Sequence, residues 1–132
     1  MIYLLDTKIC IYIIKQKPTA VAQRFDLLEP GSMGISLVTY GELLTGASKS
    51  RQAAKSRAIL QELMEYIPVL TMDGQAAEHY ADIRASLEQE GTPIGNNDLW
   101  IAAHARSEGL VLVSNNLREF ERVEGLQLEN WV

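Results

Sequence analysis

Three acidic residues of this chain, Asp6, Glu42 and Asp98, each lie close to the start of a predicted helix. Asp6 directly follows the apolar run at residues 2–5, which is typical of a strand buried on both faces of a sheet. In open α/β sheets, ligands bind where the carboxyl ends of the strands lead into helices. The position of Asp6 therefore predicts a functional carboxylate, while the alternative is that Asp6 only caps the helix that follows.

The other two acids also have a functional and a structural interpretation. Thr39 and Glu42 have the spacing of a capping box, in which Glu42 would bond the start of its own helix. Asp98 follows Asn96 and Asn97, and either asparagine can serve as the N-cap. Because Asp98 is not needed as a cap, its position favours a role in a site over a role in the helix.

Three carboxylates at one edge of a parallel sheet require a cation or protons. Two carboxylates ~4 Å apart repel each other by about 4 kcal/mol at an effective dielectric constant near 20. A ligand set made only of oxygen atoms, with no cysteine or histidine, favours Mg²⁺ or Mn²⁺ over zinc. The acids therefore predict a magnesium or manganese site.

The elements that would position these acids alternate between strands and helices along the chain. Strands are predicted near residues 2–5, 33–37, 68–70 and 110–113, with a further edge strand near 126–128. Helices are predicted at 9–15, 19–28, 38–47, 59–67, 76–87 and 98–107, with a short one in the tail. Strands joined by helical crossovers favour a mainly parallel sheet covered on both faces. We predict one α/β/α sandwich domain spanning residues 1–132.

Composition limits the classes of function. The chain has 132 residues and a net charge of −5, so it does not have the basic character of a protein that packages nucleic acid through its overall field. No apolar run reaches the roughly 20 residues of a membrane span. The single cysteine, Cys10, rules out an intrachain disulfide and suits the reducing cytoplasm, where we expect the protein to act.

The order and spacing of four sequence blocks resemble the PIN domain, and within it the VapC-type toxins of bacterial toxin–antitoxin pairs. The four blocks are Asp6-Thr7, Glu42 after the second strand, residues 97–105, which begin with Asn97-Asp98, and residues 113–116, which end with Ser114-Asn115-Asn116. The tail of the chain is also similar to that subgroup. The resemblance covers residues 2–131.

This resemblance implies a Mg²⁺-dependent endoribonuclease that an antitoxin protein holds inactive. It implies that Asp6, Glu42 and Asp98 hold the metal, and that Asn116, just after the strand predicted at residues 110–113, is the fourth polar group of the site. It also implies that the chain forms a homodimer within a larger toxin–antitoxin complex. Water would attack the phosphodiester of a structured RNA, with tRNA among the candidates. Supporting residues would be Thr7, Lys8, Ser114 and Glu119.

Two departures from the family pattern leave an alternative open. Lys8 stands where many relatives have asparagine, and Asn116 stands where the fourth group is often acidic. Glu119 or Glu121 would compensate for the missing charge. If neither does, the chain is a catalytically weak PIN module that acts mainly by binding its antitoxin. A receiver-like domain is disfavoured, since no acidic pair follows the first strand and no lysine follows the last.

Overall fold

A five-stranded parallel sheet forms the centre of the computed structural model, which describes residues 1–132. The strands are β1 (Tyr3–Leu5), β2 (Met33–Ser36), β3 (Val69–Leu70), β4 (Val111–Val113) and β5 (Leu128–Glu129). Their spatial order is β3-β2-β1-β4-β5, and every neighbouring pair is parallel. The predicted central sheet is confirmed, and the predicted edge strand near residues 126–128 lies slightly later in the chain.

Seven helices connect the strands. They are α1 (Thr7–Lys15), α2 (Thr19–Leu27), α3 (Leu37–Lys49), α4 (Ala53–Met64), α5 (Gly74–Glu90), α6 (Asn96–Glu108) and α7 (Leu117–Phe120). Helices α5 and α6 end at Gly91 and Gly109, both with positive φ, a conformation that glycine adopts without a Cβ clash. None of the seven is both long and apolar enough to cross a membrane.

The helices cover both faces of the sheet, as the sequence predicted. Adjacent residues of a strand point to opposite faces, so Leu4 and Leu5 enter different clusters of the core. Leu4 packs with α5 and α6 in one cluster, whereas Leu5 packs with α1, α3 and α4 in the other. Leu112 and Val113 of β4 divide in the same way. The result is the predicted α/β/α sandwich.

The starts of α3 and α6 differ from the sequence prediction. Ser36 caps α3 by accepting a hydrogen bond from the Val38 amide at 3.2 Å, and the buried Thr39 hydroxyl has no hydrogen-bond partner. The predicted Thr39–Glu42 capping box is therefore wrong, because the helix begins three residues earlier. Gly95 is the N-cap of α6, so the prediction of Asn96 or Asn97 as the cap is wrong too.

Strand β1 lies at the point where the direction of chain crossover reverses. From β1 the chain adds β2 and β3 on one side of the sheet, and later adds β4 and β5 on the other. A crevice opens at the carboxyl ends of the strands at such a switch point, because the helices on its two sides lead away from each other. The carboxyl ends of β1 and β4 are followed by Asp6 and Ser114.

Candidate active site

Asp6 is held in place by hydrogen bonds to both of its carboxylate oxygens. Oδ1 accepts from the Ile9 amide at 2.9 Å, and Oδ2 accepts from the Ser114 hydroxyl at 2.5 Å. The residue is only 8% exposed. Asp6 is therefore both the N-cap of α1 and a carboxylate at the crevice, so the two interpretations from the sequence are compatible.

Ser114 connects the end of β4 to Asp6. Its hydroxyl donates to Asp6 and also accepts a hydrogen bond from the Asn116 amide at 2.9 Å. Its own amide donates to the Glu129 carbonyl at 3.0 Å, which ties it to β5. The sheet and the following turn thus set the position of the hydroxyl, and the hydroxyl in turn orients Asp6.

Glu42 reaches the crevice from the second turn of α3. The Thr7 hydroxyl at the start of α1 donates to Glu42 Oε1 at 2.6 Å. Thr7 follows Asp6 directly in the sequence, so this bond brings the α3 carboxylate towards the end of β1. The side-chain pairing between α1 and α3 holds Glu42 without neutralising its charge.

Asp98 lies in the first turn of α6 and faces Glu119 of α7. Burial raises the pKa of Asp98 to about 7, and a hydrogen bond with Glu119 and the negative charges of Glu119, Glu42 and Asp6 add to the rise. The Asn116 amide group donates to Glu119 Oε2 at 3.1 Å. The structure therefore brings a fourth carboxylate, Glu119, into the group, and Asn116 orients it.

The field at this edge of the sheet is negative and uncompensated by an ion pair. Burial raises the pKa of Asp6, the charge of Glu42 raises it further, and hydrogen bonds from Ser114 and Ile9 oppose the rise. Lys8 also lowers the pKa of Asp6, but it forms no salt bridge with any of the acids. The arrangement stores like-charge repulsion that a bound cation would relieve.

The donor atoms fit a hard divalent cation. All four acidic side chains offer oxygen ligands, which suit Mg²⁺ or Mn²⁺. No three acidic, histidine or cysteine side chains stand in ready-made ligand geometry, since Asp6, Glu42 and Glu119 are each turned towards a hydrogen-bond donor of the protein. A cation would therefore be held by small rotations of these side chains, for which the repulsion between the neighbouring carboxylates provides a driving force.

The predicted site residues are distributed as follows. Asp6, Glu42 and Asp98 lie within electrostatic range of one another, and Thr7 and Ser114 are direct partners of two of them. Asn116, predicted as the fourth catalytic group, contacts Glu119 instead of the three acids. Glu119, predicted only as a supporting residue, is the group next to Asp98. The signal available in the sequence was the i, i+3 spacing of Asn116 and Glu119 at the start of a short helix.

An apolar groove adjoins the site on the side of Glu42. A cavity of about 320 Å³ lies between α1, α3 and α4, and its walls are mainly aliphatic. Ile59 is exposed in this groove, and Lys15 lies at its edge. The aliphatic residues of its walls are Ile11, Ile14, Leu43, Ala47, Ile59 and Leu60. The groove is therefore open to a partner that offers apolar side chains.

Comparisons with known proteins find relatives of this chain in both sequence and fold. The family model of the PIN domain matches residues 3–126. The chain is 49% identical over 129 residues to the tRNA(fMet)-specific endonuclease VapC of Shigella flexneri, covering 98% of this chain and 97% of that protein. It is 47% identical over 130 residues to ribonuclease VapC2 of Haemophilus influenzae, covering 98% of each. A chain in the crystal structure of DNA-bound VapBC from Salmonella typhimurium superposes with a TM-score of 0.93 at 45% identity, covering 100% of this chain and 99% of that one.

Proposed function

Because this chain belongs to the PIN domain family, we propose that it is a Mg²⁺-dependent endoribonuclease and the toxin of a toxin–antitoxin pair. The observation that carries the proposal is the gathering of Asp6, Glu42, Asp98 and Glu119 at the carboxyl edge of the sheet without a paired cation. Carboxylates that are withdrawn from water usually have a positively charged partner. Four neighbouring acids without such a partner therefore indicate a site for a cation and its substrate.

The residues of the chain divide the chemical work between them. Asp6 and Asp98, together with Glu42, would hold the metal ion, and Glu119 would complete the set. When bound, Mg²⁺ supplies positive charge at the substrate phosphate and polarises the attacking water. Ser114 keeps Asp6 turned towards the crevice, and Thr7 does the same for Glu42. Glu42 orients the water or takes its proton, because it lies at the open side of the crevice and is only half-buried.

We propose structured RNA as the substrate, with tRNA as the first candidate. The relative from Shigella flexneri, which is 49% identical, is named for its action on tRNA(fMet). Identity at that level over 98% of the chain supports a similar substrate class. The net charge of −5 fits an enzyme that binds RNA locally and releases its products.

We propose the apolar groove between α1, α3 and α4 as the seat of the antitoxin. Similar chains occur in VapBC assemblies from Rickettsia felis and Salmonella typhimurium. The groove shares Glu42 with the candidate site, so a peptide that fills it also approaches the acids. We further propose a homodimer within a larger toxin–antitoxin complex, acting in the cytoplasm.

The alternative of a catalytically weak module depends on the missing charge at Asn116. Glu119 weakens that alternative, since it supplies a carboxylate next to Asp98 and is oriented by Asn116 itself. Lys8 is exposed and makes no ion pair that would occupy the acids. We therefore prefer the enzymatic function.

A comparison of RNA cleavage with Mg²⁺ and with EDTA tests the proposal. The purified protein should fragment tRNA in Mg²⁺ and leave it intact in EDTA, and Asp6→Asn should leave it intact in both. Asp26→Asn is a matched control, because Asp26 is an exposed carboxylate on α2 outside the site. Fragmentation that survives both EDTA and Asp6→Asn would overturn the proposal. Antitoxin binding without any fragmentation would favour the weak module.

A further inference from the structure

Helix α1 carries a lysine in its first turn, beside the candidate site. Lys8 is two residues after Asp6, and it is exposed. Asp6 is the N-cap of α1, so the helix begins at the carboxyl edge of the sheet, where the acids gather. The side chains of a helix lean towards its N-terminus. Lys8 is therefore directed towards the acids from the solvent side of α1.

The spacing of residues along α1 places Lys8 on the face that borders the apolar groove. Ile11 and Lys15 both line that groove, together with Glu42. Lys8 precedes them by three and seven residues, and residues at these intervals lie on one face of a helix. Lys8 is about 4.5 Å from Ile11 along the helix axis, at the end where Thr7 bonds Glu42. Lys8 thus lies on the face of α1 that leads from the groove to the acids.

The charge of Lys8 acts on the site without being paired to any of its acids. Burial raises the pKa of Asp6, whereas the positive charge of Lys8 lowers it. None of the four salt bridges of the structure includes Lys8. Other cations, by contrast, each contact a carboxylate at 3.0 Å or less, namely Arg24, Arg84 and Arg106. Lys8 is therefore a cation near the acids whose ammonium group remains free to bind an anion from outside the protein.

The stability of α1 does not account for a lysine at this position. Lys15 lies in the last turn, where the partial negative charge of the helix C-terminus attracts a cation. Lys8 lies in the first turn, where the backbone amides repel a cation, and no acidic residue occupies that turn. The favourable partners of Lys8 must therefore come from the crevice or from a ligand bound there.

The charge balance of the site indicates the chemistry of that ligand. The four acids carry up to four negative charges, and one Mg²⁺ would offset two of them. An RNA phosphodiester brings a further negative charge, so the site would still repel its substrate. The Lys8 ammonium offers one positive charge and three N–H donors, which phosphate oxygens accept. Since Mg²⁺ in the site would repel Lys8, a phosphate is the partner that suits Lys8 when the metal is bound.

We propose that Lys8 binds a non-bridging oxygen of the RNA phosphate at which cleavage occurs, and supplies there the positive charge that one Mg²⁺ leaves missing. This inference rests on the proposed nuclease function and adds a substrate-binding residue to it. The acids hold the metal on one side of the phosphate, and Lys8 holds the phosphate from the side of α1. Lys8 thereby reduces the repulsion between the acids and the RNA.

Steady-state cleavage of tRNA tests the contact with the phosphate. Lys8→Gln should lower kcat/KM by roughly 10-fold or more, because the phosphate loses a charged partner. Lys8→Arg should retain most of the activity, since a guanidinium also binds phosphate. Lys17→Gln removes an exposed lysine beyond the end of α1 and is the matched control. If Lys8→Gln cuts RNA as fast as the parent or faster, Lys8 only offsets the acids of the metal-free protein. The inference is then wrong and the nuclease function stands.

An RNA-binding experiment distinguishes failure of this inference from failure of the nuclease proposal. In the Asp98→Asn background with Mg²⁺, adding Lys8→Gln should weaken the binding of tRNA. It should also reduce the slope of log affinity against log salt concentration by about 1, the effect of one lost phosphate contact. Fluorescence anisotropy of labelled tRNA measures both, and an unchanged slope would overturn the inference. If the parent does not cut RNA but its binding depends on Lys8 in this way, the contact is supported and the nuclease proposal is contradicted.

The stabilisation of the fold by Mg²⁺ gives a readout that does not depend on cleavage. Lys8→Gln removes a positive charge from beside the acids. The rise in unfolding temperature on adding Mg²⁺ should therefore be as large as in the parent or larger. A smaller rise would mean that Lys8 positions the acids for the metal, and it would overturn the assignment of Lys8 to the phosphate.

Discussion

The acidic edge of the sheet and the C-terminal end of the chain arrange charge in opposite ways. At the edge, Asp6, Glu42, Asp98 and Glu119 repel one another and make no ion pair. At the C-terminal end, Arg24 forms a salt bridge with Glu129 at 2.5 Å and lies over the Trp131 ring at 5.4 Å. Trp131 in turn packs edge-on against Tyr3 and donates to Glu129.

This difference indicates which region serves stability and which serves function. Every group of the C-terminal cluster (Tyr3, Arg24, Glu129 and Trp131) has a complementary partner, so the cluster fastens β5 and α2 to the rest of the molecule. The acids of the edge have hydrogen-bond donors but no cationic partner, and their repulsion weakens the fold when they are ionised. Proteins retain such a cost at sites where a ligand removes it.

The largest expected effect is on cleavage when one acid of the edge is neutralised. Asp98→Asn should reduce the rate of RNA cleavage by on the order of 100-fold or more, because a metal site contributes several kcal/mol of transition-state stabilisation. Single-turnover cleavage in Mg²⁺ measures the change, with Asp26→Asn as the control. A variant that cuts RNA as fast as the parent would mean that Asp98 is not a ligand of the metal.

The converse effect is expected at the C-terminal cluster. Trp131→Ala removes a buried ring and should lower the free energy of unfolding by about 3 kcal/mol. Cleavage should persist at temperatures below the unfolding transition, because Trp131 contacts none of the acids. Urea denaturation, with Val132→Ala as a control at an exposed position, measures the loss. If Trp131→Ala abolished cleavage without lowering stability, the division between the two regions would be incorrect.

A pH effect is expected in the metal-free protein. The pKa of Asp98 is about 7 in the folded chain and near 3.8 when the chain is unfolded, so the folded state binds more protons between these values. The unfolding temperature of the EDTA-treated protein should therefore fall as the pH rises from about 4 to about 7. Mg²⁺ should reverse the fall near neutral pH, because it binds only the folded, ionised acids.

Asp98→Asn should flatten this pH dependence and reduce the stabilisation by Mg²⁺. Scanning calorimetry across the pH range measures both. An unfolding temperature in EDTA that rises between about pH 4 and about pH 7 would contradict the raised pKa of Asp98.

The smallest effect is expected at the residue that orients an acid. Asn116→Ala removes the hydrogen bond to Glu119 and should weaken Mg²⁺ activation by roughly 10-fold, which is typical for groups that hold metal ligands. The dependence of cleavage on Mg²⁺ concentration measures it, and Asn115→Ala is the matched control. If cleavage by Asn116→Ala stays slow at every Mg²⁺ concentration, Asn116 instead takes part directly in catalysis, as the sequence predicted.

Most of the fold was predictable, because its signals are local. The apolar runs of the strands and the helical spacing of Ile83 and Leu87 require no knowledge of distant residues. Helix starts were less predictable. Ser36 and Gly95 displaced the expected caps at α3 and α6, since the backbone entering from the sheet decides which residue is first in the helix.

The candidate site was predictable only in part. The parallel order of the strands and the family resemblance together pointed to Asp6, Glu42 and Asp98. Whether Asn116 or Glu119 lies next to Asp98 as the fourth group of the site depends on the direction in which the short helix α7 leaves β4. No pattern in the sequence predicts that direction. The stacking of Tyr80 on Trp100 likewise arises from packing between α5 and α6.

By itself, the sequence determined the alternation of strands and helices, and the placement of one acid near the start of each of three helices. These features follow from spacing along the chain, which fixes which residues share a face. Only the tertiary structure decided that Ser114 bonds Asp6, 108 positions away, and that Glu119 stands beside Asp98. Such contacts depend on distances across the sheet, and a side chain selects its partner only after the elements have packed.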